Sequence, residues 1–207
     1  MSLPLQGSLF DGDAVGLGSM DAIRRAQLDQ TAWVDVLPGW LGGASVVFER
    51  LAERVPWHAE RRPMYDRVVD VPRLVSFYGE NDPLPDRVLV AARTALSEHY
   101  AGELGEPFRT AGLCFYRDGR DSVAWHGDTI GRGATVDTMV AIVSVGAPRA
   151  LLLRPRGGGA SVRFTAGHGD LLVMGGACQR TWEHAVPKTT RPVGPRISIQ
   201  FRPRNVR

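Results

Sequence analysis

From Ala111 onward, short apolar runs alternate with turn residues at close and regular spacing. Segments such as Asp118-Gly119, Gly157-Gly158-Gly159 and Gly167-His168-Gly169 separate the runs. Runs of this length between glycine-rich turns predict strands. The predicted strands are 111–116, 122–126, 138–145, 150–154, 162–165, 170–174, 182–186 and 196–202. Eight strands spaced in this way favour a double-stranded β-helix, the jelly roll of cupin-like proteins.

Two helices are predicted before these strands. Residues 42–55 carry valines and a leucine at helical spacing, and Asn81-Asp82-Pro83 opens a second helix that extends to about Tyr100 with Pro85 in its first turn. The fold class is therefore α+β, mainly β, with helices preceding the jelly roll.

The chain divides into an arm and one domain. Residues 1–30 are rich in Gly, Ser and Asp with little periodicity, so we expect a poorly ordered or extended arm. We expect a single domain over 31–207, because 207 residues that are 43% hydrophobic can bury one sizeable core. Within it, 31–110 would hold the helices and a substrate-recognition segment, and 111–207 the jelly-roll core.

Composition narrows the class of protein. The two cysteines, Cys114 and Cys178, form neither a disulfide framework nor a CxxC motif, so we expect reduced thiols. The sequence has no apolar run of membrane-spanning length and no secretory signal pattern, which favours a cytoplasmic protein with no membrane association. We also expect a monomer. A net charge of +3 weakly favours an anionic partner. Clusters such as Arg61-Arg62 and Arg154-Pro155-Arg156 would follow a nucleic acid backbone or simply form a solvated surface.

The strongest chemical motif is His126-Gly127-Asp128 combined with the distant His184. Alternate residues of an extended segment point the same way, so one backbone would supply both His126 and Asp128. Two imidazoles and one carboxylate on one face of an ion form the facial triad of non-haem Fe(II) oxygenases. A lone histidine on a strand is more often structural. The conjunction of all three residues with Arg196 and Arg202 on a later strand nevertheless favours a metal site.

The sequence resembles the AlkB family of Fe(II)/2-oxoglutarate dioxygenases, which repair alkylated nucleic acid bases. The similarity covers about Met64 to Arg202, and the Tyr-x-Asp-Gly turn and the Arg-x₅-Arg strand are its most specific motifs. It rests on Pro72-Arg73, Tyr78-Gly79, Phe115 to Asp121, His126-Gly127-Asp128, His168 to Met174, Trp182 to Pro187 and Pro195 to Arg202.

The resemblance implies Fe(II), 2-oxoglutarate as cosubstrate and O₂. His126, Asp128 and His184 would be the catalytic metal ligands. Arg196 would hold the distal carboxylate of the cosubstrate bidentately, and Arg202 would approach the metal-bound carboxylate. Tyr116 and Ser198 would complete the cosubstrate site.

Some positions depart from the family's pattern. Ser198 stands where asparagine is usual, Gln200 where threonine is usual, and Cys114 where another asparagine is common. Ile130 stands where well-known DNA-repair members carry an acid two residues after the metal aspartate. The aliphatic side chain of Ile130 accepts no hydrogen bond from an exocyclic amine of a base. The preference for one alkylated base over another therefore stays open.

Substrate recognition would come from aromatic and basic residues, since a base must leave its stack before it is oxidised. The candidates are Trp57, Tyr65, Arg73, Phe77, Tyr78, Trp125 and Ile130, although aromatic side chains more often belong to a core. His168 is predicted to be structural, because Gly167-His168-Gly169 is a turn between strands.

The sequence therefore favours oxidative dealkylation of N-alkylated nucleic acid bases, in DNA repair, with release of succinate, CO₂ and formaldehyde. Fold and cosubstrate do not fix the substrate, so an Fe(II)/2-oxoglutarate hydroxylase of a protein or small molecule is the alternative. A catalytically inactive nucleic-acid-binding protein is a second alternative.

Overall fold

The computed structural model describes residues 14–64 and 67–206, with the backbone alone between 61 and 70. The helices are α1 Ala44–Arg54, α2 Arg87–His99, α3 Ala101–Leu104 and α4 Cys178–Thr181. The strands are β1 Gly16–Leu17, β2 Arg24–Gln27, β3 Ala32–Leu37, β4 Leu41–Gly42, β5 His58–Met64, β6 Arg67–Tyr78, β7 Thr110–Tyr116, β8 Val123–His126, β9 Val140–Gly146, β10 Arg149–Pro155, β11 Val162–Ala166, β12 Asp170–Gly176, β13 Trp182–Val186 and β14 Arg196–Arg202. Over this part of the chain, every helix is too short or too polar to cross a membrane.

The strands predicted after Ala111 divide equally between two sheets. The larger sheet has the order β2-β3-β12-β9-β14-β7-β6-β5, and the smaller has the order β11-β10-β13-β8. The pairs in both sheets are antiparallel. Side chains from both sheets, such as Val140 and Leu151, meet in one buried cluster. The jelly-roll prediction is confirmed.

Alternate residues of the larger sheet enter two different cores. On β12, Leu172 and Met174 face the interior of the roll, whereas Leu171 and Val173 belong to the cluster beneath the helices. This is the period of two that a strand imposes on its side chains. The larger sheet thus has a helix-covered apolar face and an inner face toward the smaller sheet.

The first predicted helix is confirmed as α1. Its buried residues Ala44, Val47, Phe48 and Leu51 recur every three or four positions, and α1 packs on β9 and β14. Gly43 precedes it with φ of 64°, and a Cβ there would lie 2.9 Å from the Cα of Val15. Glycine is therefore the residue that allows this close approach.

The second helix begins later than predicted. The sequence placed its start at Asn81-Asp82-Pro83, but α2 starts at Arg87. Asp86 caps it, since its carboxylate accepts a hydrogen bond from the Val88 backbone N–H at 3.0 Å. A capping carboxylate satisfies one of the free N–H groups of the first turn, which fixes the start of the helix here.

The region before Ala111 contains more sheet than the sequence predicted. The sequence predicted only helices and a substrate-recognition segment over 31–110. In the structure, this region also contributes β3, β5 and β6 to the larger sheet. The described part of the predicted arm, 14–30, contains β1 and β2, and β2 pairs with β3. The arm is thus joined to the sheet by backbone hydrogen bonds from residue 24, and residues 1–13 lie outside the described residues.

Candidate metal centre

The three predicted metal ligands lie at one end of the smaller sheet. His126 ends β8 and is in register with His184 on β13, and their ring centroids are 4.2 Å apart. Asp128 follows β8 by two residues. One ligand atom from each residue lies within 4.8 Å of the others. A divalent ion bound to all three would keep its remaining positions on one side.

Neighbouring groups orient the ligands. The Nδ1–H of His126 donates to the Ala124 carbonyl oxygen at 2.8 Å, which leaves Nε2 as the atom with a free lone pair. The backbone N–H of Asp128 donates to the buried Gln179 Oε1 at 2.9 Å. A Cβ at Gly127 would lie 2.7 Å from the Gln179 carbonyl oxygen, so glycine is required between the two ligands. Sequence reasoning missed Gln179, which lies on α4, far from the motif in sequence.

The ligands are held in their metal-binding protonation states. Burial lowers the pKa of His184 to about 3, helped by the nearby His126, and burial also lowers the pKa of His126. Burial alone would raise the pKa of Asp128, but Arg202 and the two imidazoles outweigh it and hold this pKa at about 2. Neutral imidazoles and an ionised carboxylate are the forms that bind a metal ion.

Arg202 lies against the metal-ligating carboxylate. Its Nε donates to Asp128 Oδ2 at 2.8 Å, and Nη2 donates to Gln200 Oε1 at 3.2 Å. The two charged side chains are 12% and 5% exposed, so this ion pair is largely shielded from water. Arg202 therefore holds one oxygen of Asp128 and leaves the other for an ion.

Arg196 is a deeply buried cation on the same strand face. Its residue is 2% exposed, Nε donates to Ser144 Oγ at 2.8 Å, and its guanidinium lies 5.3 Å from the Tyr116 ring centroid. Burial lowers the pKa of Arg196. Nη1 is buried without a hydrogen-bond partner among the described residues, and no described carboxylate pairs with this side chain.

A buried cation without a counter-charge is costly unless a ligand neutralises it. A cosubstrate carboxylate would supply both the charge and the acceptor for Nη1. The donor set of the triad and this unpaired nitrogen therefore fit Fe(II) and 2-oxoglutarate together. Tyr116, whose pKa is raised to about 12 chiefly by burial, would keep its proton and act as a donor.

Three of the four departures from the family's pattern contact one another. Gln200 Nε2 donates to Ser198 Oγ at 3.0 Å, and Cys114 Sγ lies 3.9 Å from Gln200 Oε1. Ser198 lies opposite Cys114 in the register of β14 and β7. The substituted residues thus form one local network between Arg196 and Arg202.

A cavity of about 720 Å³ joins these groups, and we call it the metal cavity. All seven residues predicted for the metal and the cosubstrate line it, and so do three of the predicted substrate residues, Arg73, Phe77 and Ile130. Phe77 is 47% exposed, while Ile130 is 70% exposed. Glu60 lines the cavity as well, and sequence reasoning missed it.

Three other substrate candidates do not line the metal cavity. Trp57 packs against the helix-covered core, with its ring centroid 5.2 Å from that of Phe115, and its Nε1–H donates to the Ala52 carbonyl oxygen. Tyr78 also packs against this core. The prediction was wrong for both rings, because their positions in the sequence do not show which side of the chain packs against the core. Trp125 lines an adjoining cleft, and Tyr65 lies outside the described residues.

His168 lies away from the triad. Its Nδ1 accepts a hydrogen bond from the Gly146 backbone N–H at 2.8 Å, and Nε2 lies 3.0 Å from Ser45 Oγ. Both ring nitrogens therefore tie a turn of the larger sheet to α1, a structural role of the kind expected for a histidine in a turn.

A jelly roll with this triad and a buried arginine defines a class of oxygenase, and comparison with known proteins agrees. Residues 77–202 match the model of the 2OG-Fe(II) oxygenase superfamily. In structure, the chain is similar to an oxidoreductase of the 2OG-Fe(II) oxygenase family from Burkholderia pseudomallei, with a TM-score of 0.59, 15% identity, and coverage of 82% of this chain and 84% of that one. At this identity, the likeness shows the fold alone.

The sequence is also similar to curated proteins. It is 32% identical to the alpha-ketoglutarate-dependent dioxygenase alkB homolog 3 of Bos taurus, over 82% of this chain and 65% of that protein. It is 25% identical to the human DNA oxidative demethylase ALKBH2, over 77% of this chain and 68% of that protein. The chain thus spans just under two thirds of the length of the bovine relative. The chain belongs to the 2OG-Fe(II) oxygenase superfamily, and the relatives to which it is similar in sequence include AlkB homologs.

Proposed function

We propose that this protein removes alkyl groups from base nitrogens of nucleic acid, in DNA repair, with Fe(II) and 2-oxoglutarate. The observation that carries the proposal is the metal cavity, where the triad and the unpaired nitrogen of Arg196 line one space of about 720 Å³. The similarity to relatives named as a dioxygenase and as a DNA oxidative demethylase supports a nucleic acid substrate.

Each end of the cosubstrate has a partner in the cavity. His126, Asp128 and His184 would hold the ion, and Arg196 would bind the distal carboxylate through its fork of N–H donors. When bound, iron and 2-oxoglutarate would activate O₂, so that one oxygen atom enters succinate and the other converts a methyl group on nitrogen into a hydroxymethyl group. That product is unstable and expels formaldehyde, while the cosubstrate leaves as succinate and CO₂.

The protein's own groups prepare the site for this chemistry. Arg202 fixes the rotation of Asp128, and Gln179 fixes its backbone. Apolar side chains of the cavity, including Val140, Ile142 and Leu151, exclude water around the triad. Exclusion of water protects a reactive centre from side reactions and strengthens electrostatic interactions within it.

The test is mass spectrometry of matched oligonucleotides that each carry one methylated base, such as N1-methyladenine or N3-methylcytosine. We expect loss of one methyl group and release of formaldehyde only with Fe(II), 2-oxoglutarate and O₂ present. Single strands are expected to be accepted, because unstacking an unpaired base costs less. If no methylated oligonucleotide reacts while a peptide or small metabolite is hydroxylated, the protein is a hydroxylase of that other class. Binding without succinate formation would identify an inactive nucleic-acid-binding protein.

A further inference from the structure

A second cavity adjoins the metal cavity across the smaller sheet. This space of about 510 Å³, which we call the outer cleft, is lined by Arg73, Trp125, His126, Leu152, Ala185 and Lys188, among others. Arg73, Val123, His126 and Val186 line both cavities. A metal ligand therefore forms part of the wall between them, and a bound chain with one unit at the metal would reach the outer cleft with its next unit.

The floor of the outer cleft is the outside of the smaller sheet. Leu152 on β10 pairs in register with Ala185 on β13. Their sequence neighbours Leu151, His184 and Val186 line the metal cavity on the opposite face. Because side chains alternate across a strand, Leu152 and Ala185 present an apolar surface away from the roll interior. An apolar floor beside an aromatic wall suits a planar ring.

Trp125 supplies the aromatic wall. The Arg154 guanidinium lies 4.2 Å from its ring centroid, and Arg154 Nη2 is 3.1 Å from Glu183 Oε2. The cation is thus held by a carboxylate while it contacts the indole, and a cation over an aromatic face is an attractive arrangement. The indole is therefore fixed beside the cleft before any ligand arrives.

The charge of the outer cleft suits an anion. Its described lining contains the cations Arg73 and Lys188 and no Asp or Glu. Lys188 is exposed, and it is the only lysine in the sequence. By contrast, a groove of about 530 Å³ beside α2 is lined by Glu80, Glu98 and Glu106 as well as by arginines. An apolar and aromatic lining with cations beside it matches a nucleobase and its phosphate.

We propose that the outer cleft binds the nucleotide next to the target base in single-stranded nucleic acid. This inference rests on the proposed function and adds a subsite to it. The neighbouring base stacks on Trp125 above Leu152 and Ala185, and Lys188 contacts the phosphate. A base in this position is unpaired, so the cleft selects a single strand or a locally opened duplex.

The test compares a methylated mononucleotide with a methylated single-stranded pentanucleotide as substrates. The readout is the ratio of kcat/KM for the pentanucleotide to kcat/KM for the mononucleotide, which cancels any change at the metal itself. In Trp125→Ala we expect this ratio to fall on the order of tenfold, the effect typical of losing one stacked base. Trp125→Phe keeps an aromatic ring and restores most of the ratio. An unchanged ratio in Trp125→Ala overturns the proposal.

Salt dependence tests the phosphate contact. In Lys188→Ala, the slope of log affinity for the pentanucleotide against log salt should fall by about one. Arg24→Ala, which removes an exposed cation on β2 of the larger sheet, is the matched control and should leave slope and ratio unchanged. A slope that falls equally in both variants contradicts a specific contact at Lys188.

Binding without turnover separates this proposal from the proposed function. Fluorescence anisotropy of an unmodified labelled pentanucleotide, with Mn(II) and 2-oxoglutarate present, measures the outer cleft even if no methyl group is removed. Failure of wild-type protein to dealkylate any length contradicts the proposed function. Equal pentanucleotide affinity in wild type, Trp125→Ala and Lys188→Ala contradicts the subsite.

Discussion

The two faces of β14 differ in what they contribute to the molecule. Ile197, Ile199 and Phe201 point into the helix-covered core and are fully buried. The alternate residues Arg196, Ser198, Gln200 and Arg202 line the metal cavity. One strand thus presents an apolar face that stabilises the fold and a charged face whose burial opposes folding. Packing of the apolar face against the helices therefore offsets the cost of a buried cation site.

The largest effect is expected at the metal end of the polar face. Asp128→Ala removes the anionic ligand and leaves Arg202 without its partner, so turnover should be abolished while the apolar face keeps the protein folded. The measurement is the visible charge-transfer absorption formed on anaerobic addition of Fe(II) and 2-oxoglutarate, with circular dichroism as the control for folding. Full turnover in Asp128→Ala would rule out the assigned triad.

A substitution on the apolar face of β14 should lower stability and leave cosubstrate binding unchanged. Phe201→Ala leaves a cavity in a fully buried position and should lower the free energy of unfolding by about 3–5 kcal/mol. The protein that remains folded should keep its half-saturation for 2-oxoglutarate, because Phe201 points away from the cavity. Urea unfolding and cosubstrate titration at low temperature measure the two properties. A large shift in cosubstrate affinity would show that the faces are not independent.

Arg196→Met tests the buried cation. Loss of the charge-assisted pair should weaken 2-oxoglutarate binding by about 2–5 kcal/mol. Stability without cosubstrate should be equal or higher, because methionine fills similar space without a buried unpaired charge. Calorimetric titration and thermal unfolding give the two values, with Arg163→Met at an exposed position of β11 as matched control. Unchanged cosubstrate affinity would remove Arg196 from the site.

Much of the fold could be predicted from the sequence, because the pattern within a short segment is enough to indicate a strand. β9 is buried on both faces, so its strand was predicted from its short length, its β-branched residues and the Gly146 that ends it. β3 is also buried on both faces, but Asp35 interrupts its apolar run, and the partners that satisfy this carboxylate, Arg25 and Tyr100, lie outside the run, so the strand was missed. A run buried on both faces has no period that distinguishes strand from helix.

The residues of the metal cavity also divide into those that the sequence predicted and those that it did not. The spacing of His126 and Asp128 on an extended segment, and of Arg196 and Arg202 on one strand face, follows from the period of two. Gln179 could not be found, because its contact with Asp128 joins residues 51 positions apart. Trp57 was assigned to substrate from residue type alone, and residue type does not tell which side of an element a ring occupies.

Gln179 provides a smaller test of how the polar face is supported. Gln179→Leu removes the acceptor for the Asp128 backbone N–H and should weaken Fe(II) binding by about 10- to 100-fold. Metal titration monitored by the chelate absorption measures this, with Gln30→Leu at an exposed position as the matched substitution. If the absorption returns at higher Fe(II) concentration, Asp128 is displaced but still binds the metal. If it does not return, Asp128 no longer acts as a ligand. Equal affinity in both variants would show that the loop holds its shape without this hydrogen bond.

The smallest effect concerns Ile130 at the mouth of the cavity. Ile130→Glu introduces a hydrogen-bond acceptor for an exocyclic amine where the side chain is now 70% exposed. The ratio of methyladenine to methylcytosine dealkylation should change about two- to tenfold, the scale of one hydrogen bond in an open site. Succinate formation without substrate should change less, because Ile130 is no ligand of the metal or cosubstrate. Val136→Glu adds the same charge at an exposed residue outside the described cavity lining, so it controls for charge alone. If both variants shift the ratio equally, the effect is electrostatic attraction at the surface, and Ile130 does not contact the base.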